Sequence, residues 1–226
     1  MTEKIKSTKD KVEIGGNQTA KSRIFIVDDH ALFRDGLRHL IDHEPDLTVC
    51  GGAANAEEAM QGIGDSKPDL VTMDISLGDT SGIDLIHAIK AQYEDIPILV
   101  VSMHDESLYA DRAMRAGAMG YVMKQEPSET VKTAIRKVLE GDVHLNEKIA
   151  SSILVKLMRG STEQPSNPIE TLSDREMEIF RMFGHGKGAS QIAEEMNLSI
   201  NTINSFRVSG QLKPASDGQF KTGHLK

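Results

Sequence analysis

Val71-Thr72-Met73-Asp74 is the stretch that decides the fold. It reads as the end of a buried strand that delivers a carboxylate to its carboxyl end. The arrangement recurs on both sides. Upstream, Ile24-Phe25-Ile26-Val27 ends in Asp28-Asp29. Downstream, Ile98-Leu99-Val100-Val101 ends in Ser102, and Tyr121-Val122-Met123 ends in Lys124. Apolar runs at 24–27, 47–50, 69–73, 96–101 and 120–123 are short and mostly β-branched or leucine-rich. Helical patterns lie between and after them, at Ala31–Ile41, Glu57–Ile63, Gly82–Ile89, Ser107–Ala116 and Ser128–Leu139. Leu32, Phe33, Leu37, Leu40 and Ile41 are the apolar members of the first. Strands alternating with helices predict an α/β domain, a five-stranded parallel sheet covered on both faces.

In such a sheet, ligands bind off the carboxyl ends of strands where the strand order reverses. Asp28, Asp29, Asp74, Ser102 and Lys124 should therefore converge on one crevice. Three crowded carboxylates repel one another and call for a hard divalent cation, with Mg²⁺ favoured by an all-oxygen set. A phosphoryl group could then be shared between Mg²⁺, the Lys124 ammonium and the Ser102 hydroxyl, with Asp74 as the nucleophile. His30 has two readings: a metal ligand beside Asp29, or the residue that opens the first helix at the rim. The second is simpler. Met60, Met73, Met103, Met114, Met119 and Met123 read as core or near-core packing.

The rest of the chain divides around this block. Residues 1–22 are polar and lysine-rich and read as a disordered tail; the sheet domain spans 23–142. Residues 143–168 hold one amphipathic helix, Ile149–Met158, and a proline-marked linker ending at Pro168. Ser173 and Glu176 form a capping box for a further helix. Ala189–Met196 is a second short helix, and Ser199 caps a third after a tight turn, which makes a helix-turn-helix. The net charge of −8 is uneven. Residues 24–145 carry 10 basic and 22 acidic groups, a net −12, whereas 168–226 carry 7 of each. Acid concentrated in the first block suits a cation site and disfavours nucleic acid there. Cys50 is the only cysteine, and no apolar run approaches the ~20 residues of a membrane helix, so the expected compartment is the cytoplasm, away from the membrane.

Residues 24–145, through Asp28-Asp29-His30, Asp74-Ile75-Ser76-Leu77 and Ser81-Gly82, resemble the receiver domain of two-component response regulators of the LuxR/NarL type. The resemblance implies a flavodoxin-like sheet and Asp74 as phosphoacceptor. It implies Asp28, Asp29, Asp74 and the Ser76 backbone carbonyl as Mg²⁺ ligands. It makes Ser102 and Tyr121 the switch residues and Lys124 the phosphate-binding lysine. It also implies a sensor histidine kinase as partner, a homodimer, and no enzyme activity beyond Mg²⁺-dependent self-phosphorylation and self-dephosphorylation. Gly78 and Gln125 depart from the family, which usually has proline at both positions. His104 and Ser76 stand where family members vary the lifetime of the phosphoryl group.

Residues 169–207 are similar to the helix-turn-helix output domain of the same regulators, through Thr171-Leu172-Ser173-Asp174-Arg175-Glu176, Gln191-Ile192-Ala193 and Leu198 to Asn204. The resemblance implies that Asn201, Thr202, Asn204, Ser205 and Arg207 meet promoter DNA. After Arg207 the likeness stops: Gly210 and Pro214 break helical periodicity, no clear fourth helix follows, and 208–226 reads as an irregular tail. A frameshifted or altered carboxyl terminus, with weakened DNA binding, is the expectation. The first functional reading is a phosphorylation-controlled transcription regulator. The second is a phosphoryl-accepting module with a crippled output, acting as phosphate sink or protein-interaction partner. A phosphatase or flavin protein is disfavoured, because no glycine-rich phosphate loop follows the first strand and Ser76, not an acid, stands two residues after Asp74.

Overall fold

The computed structural model describes residues 20–78, 80–159, 172, 174–196 and 198–208. In chain order the elements are β1 (Ser22–Val27), α1 (Ala31–Asp42), β2 (Leu47–Ala53), α2 (Ala56–Ser66), β3 (Leu70–Met73), the two-residue strands β4 (Ser76–Leu77) and β5 (Thr80–Ser81), α3 (Gly82–Gln92), β6 (Ile98–Ser102), α4 (Glu106–Ala116), β7 (Gly120–Met123), α5 (Ser128–Leu139), α6 (Glu147–Arg159), α7 (Asp174–Gly184), α8 (Ala189–Glu195) and α9 (Ile200–Val208). Five of the strands form one parallel sheet in the order β2-β1-β3-β6-β7, while β4 and β5 pair antiparallel as a hairpin.

The two-residue period of a strand sends alternate side chains to opposite faces. Phe25, Val27, Val71, Met73, Ile98, Val100 and Tyr121 enter one core, with Ile63, Ile86, Ile89 and Tyr109 from α2, α3 and α4. Ile24, Ile26, Leu70, Leu99, Val101 and Val122 enter the other, with Leu37 and Ile41 of α1 and Ile135 and Val138 of α5. Both faces are apolar because both are covered, which is why the strands read as continuous apolar runs. The Phe25 ring lies between two glycines: a Cβ on Gly51 would stand 2.5 Å from it, and one on Gly62 2.6 Å. Arg136 of α5 bonds Glu44 and Asp46, tying that helix to the turn between α1 and β2.

The expected doubly wound α/β architecture is present, with differences in detail. Ser22, placed in the tail by its polarity, is the first residue of β1 and pairs with Leu47. The hairpin β4–β5 was not anticipated, since two-residue strands carry no periodicity. Leu32 is 87% exposed and Met103 53% exposed, so neither packs in the core. Leu32 lies off the α1 face that carries Leu37 and Ile41, and Met103 sits in the loop after β6.

Helices α7, α8 and α9 enclose a small core of Ile179, Phe183, Ile192, Ala193, Met196 and Ile203. Ser199 caps α9 as expected, its Oγ accepting from the Thr202 N–H at 3.0 Å. The expectations for residues 1–19, the linker at 160–168, the Ser173 cap and the tail at 209–226 lie outside the described residues.

Candidate functional site

In the order β2-β1-β3, the chain reverses direction across the sheet between β1 and β3. Backbone bonds level the strand ends there: Asp28 N–H donates to Ala53 O at 3.1 Å, and Asp74 N–H to Val27 O at 2.9 Å. Asp28, Asp29 and Asp74 therefore meet at the switch point. Lys124 arrives from the end of β7, its N–H bonded to Ser102 O at 2.8 Å. Asp28, Asp29, Asp74 and Lys124 are thus brought together.

The Lys124 ammonium lies 2.7 Å from Asp28 Oδ2 and 2.7 Å from Asp74 Oδ2, and all three side chains are 3% exposed. It also rests 4.4 Å from the centre of the Phe33 ring. One cation thus holds one oxygen from each of two buried carboxylates. Burial pushes the Asp28 carboxyl above the usual carboxylate range, and the Asp74 charge adds to this, against the opposing Lys124 bond. Asp74 Oδ1 and Asp29 Oδ1 are buried and have no hydrogen-bond partner. Ligand atoms of Asp28, Asp29, His30 and Asp74 lie within 4.8 Å of one another. The unpaired Asp74 Oδ1, with Asp29 Oδ1 beside it and 2.7 Å from the His30 ring, fits a divalent cation, since an unpaired buried carboxylate oxygen is costly.

The hairpin β4–β5 forms the wall beside this cluster. Gly78, at its turn, has φ +58° and donates its N–H to Asp29 Oδ2 at 3.1 Å. Proline could adopt neither that angle nor that bond, so the departure from the family has a local purpose. Ser102 is fully buried, with its Oγ accepting weakly from the His104 N–H at 3.4 Å. Tyr121 OH donates to His104 O at 2.9 Å. Burial pushes the Tyr121 phenol far above its usual range. The His104 ring is 2.5 Å from Ser76 Oγ through Nε2 and packs 4.7 Å from the Tyr109 ring. Burial, reinforced by the Arg181 charge, lowers His104 to about 4.

That arginine belongs to the helix-turn-helix. Leu172 and Met177 join the sheet domain's core cluster, with Phe180 against it. Arg175 donates to Gly78 O at 3.2 Å and to Met196 O at 3.1 Å. Arg175 and Glu178 line one small cleft with Ser76, Gly78, Ser81, His104 and Tyr109. Burial pushes the Glu178 carboxyl up, opposed by Arg175 and Arg181. Sequence reasoning missed this contact, as it missed the Phe33 stacking. Of the residues assigned to DNA, Asn201 and Ser205 are exposed and Asn204 is half-buried. The Thr202 hydroxyl is engaged with Ser199 at 2.7 Å, and the Arg207 side chain lies outside the described residues.

Known proteins bear on these two units. The response regulator receiver domain family matches residues 24–136, and the bacterial regulatory proteins, luxR family, match 170–213, six residues past Arg207. The oxygen regulatory protein NreC of Staphylococcus aureus (strain JH9) is 32% identical over 189 residues, covering 82% of this chain and 87% of NreC. A LuxR-family two-component response regulator from Aurantimonas sp. SI85-9A1 superposes with a TM-score of 0.57 at 34% identity, over 62% of this chain and 99% of that one. The response regulator RcsB of Salmonella typhimurium shares the fold, with a TM-score of 0.58 at 24% identity over 84% of this chain and 89% of its own. With a receiver domain and a LuxR-type helix-turn-helix on one chain, this protein belongs to the LuxR-family response regulators, transcription regulators of two-component systems.

Proposed function

We propose that Asp74 accepts a phosphoryl group from a sensor histidine kinase and that the phosphorylated chain controls transcription by placing α9 on promoter DNA. The observation that carries this reading is the asymmetry of Asp74: Lys124 holds Oδ2, while Oδ1 is buried and unpartnered. One Asp74 carboxylate oxygen attacks phosphorus in line while the other faces the cation site, the phosphorus–nitrogen bond of a phosphohistidine breaks, and its electron pair leaves with the imidazole. An acyl phosphate forms. Asp28, Asp29, Asp74 and the Ser76 carbonyl would hold Mg²⁺, which when bound supplies positive charge against carboxylate and phosphoryl oxygens. Lys124 neutralises a phosphoryl oxygen, and the Ser102 hydroxyl donates to another. Moving Ser102 draws on the His104 N–H, and His104 holds both the Tyr121 hydroxyl and Ser76. Since α7 rests on the same hairpin through Arg175, the change reaches the output domain. The chain acts in the cytoplasm, as its lone cysteine suggests, and binds DNA as a homodimer.

The seven basic and seven acidic residues of 168–226 leave the output region neutral, so DNA binding by a single chain is weak. The test is a pair of binding selections against a random duplex pool, with and without beryllofluoride, across a salt series. Enrichment of a sequence only with beryllofluoride supports phosphorylation-controlled transcription. A chain that takes up beryllofluoride and enriches no sequence in either state replaces it with the phosphate-sink reading.

A further inference from the structure

Helix α1 ends in His39-Leu40-Ile41-Asp42-His43, and both histidines are exposed. Residues at i and i+4 share one helix face, with Cβ atoms ~5–6 Å apart. The two ring centres are 6.5 Å apart and the planes are tilted by 54°. His43 Nδ1 lies 2.6 Å from His39 O. A carbonyl only accepts, so in the neutral ring Nδ1 carries the proton and Nε2 keeps its lone pair. Metal-ligating histidines are held in this way, one nitrogen tethered to a carbonyl and the other left for the ion. Asp42, between the two in sequence, meets Val49 N–H at 2.8 Å and Thr48 Oγ1 at 3.4 Å, both through Oδ1. The carbonyl end of the helix adds negative potential at this turn, which favours a cation.

We infer that His39 and His43 chelate a borderline first-row divalent ion of the Zn²⁺ class, with water completing its shell. The site is separate from the acidic pocket, because roughly 20 Å of helix divides His30, at the start of α1, from His43. Imidazole nitrogen suits Zn²⁺, Ni²⁺ and Cu²⁺, whereas Mg²⁺ prefers oxygen and keeps its waters. Tetrahedral bonds of ~2.0–2.1 Å place two ligand nitrogens ~3.3 Å apart. Both rings are exposed, so rotating His39 toward Nε2 of His43 disturbs no packing. Glu44, next in the chain, is bonded by Lys132 and Arg136, so the ion sits at the corner where α5 is tied to α1.

The test titrates Zn²⁺ into the full chain in excess Mg²⁺ and follows the ring nitrogens of its eight histidines by long-range ¹H–¹⁵N NMR. The expected result is that Nε2 of His39 and Nε2 of His43 shift together and saturate at one Zn²⁺ per chain. Competition against a chromophoric chelator gives the affinity. It should fall about tenfold or more in His39→Gln and in His43→Gln, exposed changes to a good helix former. The double variant should bind about as weakly as either single one, because each nitrogen acts through the same ion. Zn²⁺ that moves one of these rings without the other, wild-type affinity in either single variant, or first shifts at another histidine overturns the inference.

Discussion

Gly82→Ala should damage both stability and phosphorylation through one atom. Helix α3 begins at Gly82, whose N–H donates to Ile75 O at 2.6 Å. A Cβ there would stand 2.0 Å from Asp74 O, 2.8 Å from Ile75 Cα and 2.9 Å from Asp74 C. All three are backbone atoms, so no rotamer change gives relief. Ordinary contact begins at 3.4 Å, so the helix and the Asp74 carbonyl must part by about 1.4 Å, the difference of 3.4 and 2.0. Overpacking of this kind costs about 1–3 kcal/mol, and displacing a reacting group by ~1 Å costs roughly a hundredfold in rate. Gly36→Ala is the counterpart. It lies exposed within α1 with nothing within 4 Å of its Cβ position, so the same change should stabilise by about 0.5–1 kcal/mol. The chain has no tryptophan, and its three tyrosines, Tyr93, Tyr109 and Tyr121, all lie in the sheet domain. Tyrosine fluorescence in urea therefore reads that domain. Acyl phosphate formation from a small phosphodonor gives the rate. A Gly82→Ala protein with wild-type midpoint and wild-type rate would refute the reasoning.

Three further outcomes are expected. His104 is held neutral by burial, and a histidine whose pKa is lowered on folding contributes stability above the unfolded value of 6.5 that is lost as pH falls toward about 4. Between pH 7 and pH 4 the wild type should lose about 3 kcal/mol relative to His104→Asn in urea titrations, and parallel curves would contradict this. Gly78→Pro restores the family's usual residue but removes the N–H that meets Asp29, and it should weaken cation binding by roughly tenfold or more in calorimetry; unchanged affinity would count against the hairpin's role. Arg175→Ala breaks the bonds to Gly78 O and Met196 O. Amide exchange at 80–81 and 76–78 should then quicken about 5- to 30-fold, a loss of ~1–2 kcal/mol, and unchanged exchange would detach α7 from the hairpin.

The sheet was legible because its strands are short and apolar on both faces, as Ile24 and Phe25 show by entering opposite cores. The cluster was legible because each strand end carries its own chemical group. Orientation was less so. Apolar identity did not distinguish Leu32, which points to solvent, from Leu37, five residues further on, on another face of the helix and buried. The hairpin β4–β5 left one trace, Gly78, where a positive φ excludes the proline of the family. The Arg175–Gly78 contact spans 97 residues and joins two units that composition separates at a linker, so nothing local announces it. His30 looked like a helix opener by position and is one by backbone, but its ring pairs with Asp29 instead of capping the helix.

The central claim is that Asp74 is the phosphoacceptor. Its most direct test is site mapping of the full chain after treatment with a small phosphodonor and Mg²⁺. The expected result is one phosphoryl group, labile to hydroxylamine, with the hydroxamate confined to Asp74 and no label on Asp74→Asn. A hydroxylamine-stable label, or an equal extent of labelling in Asp74→Asn, would contradict it.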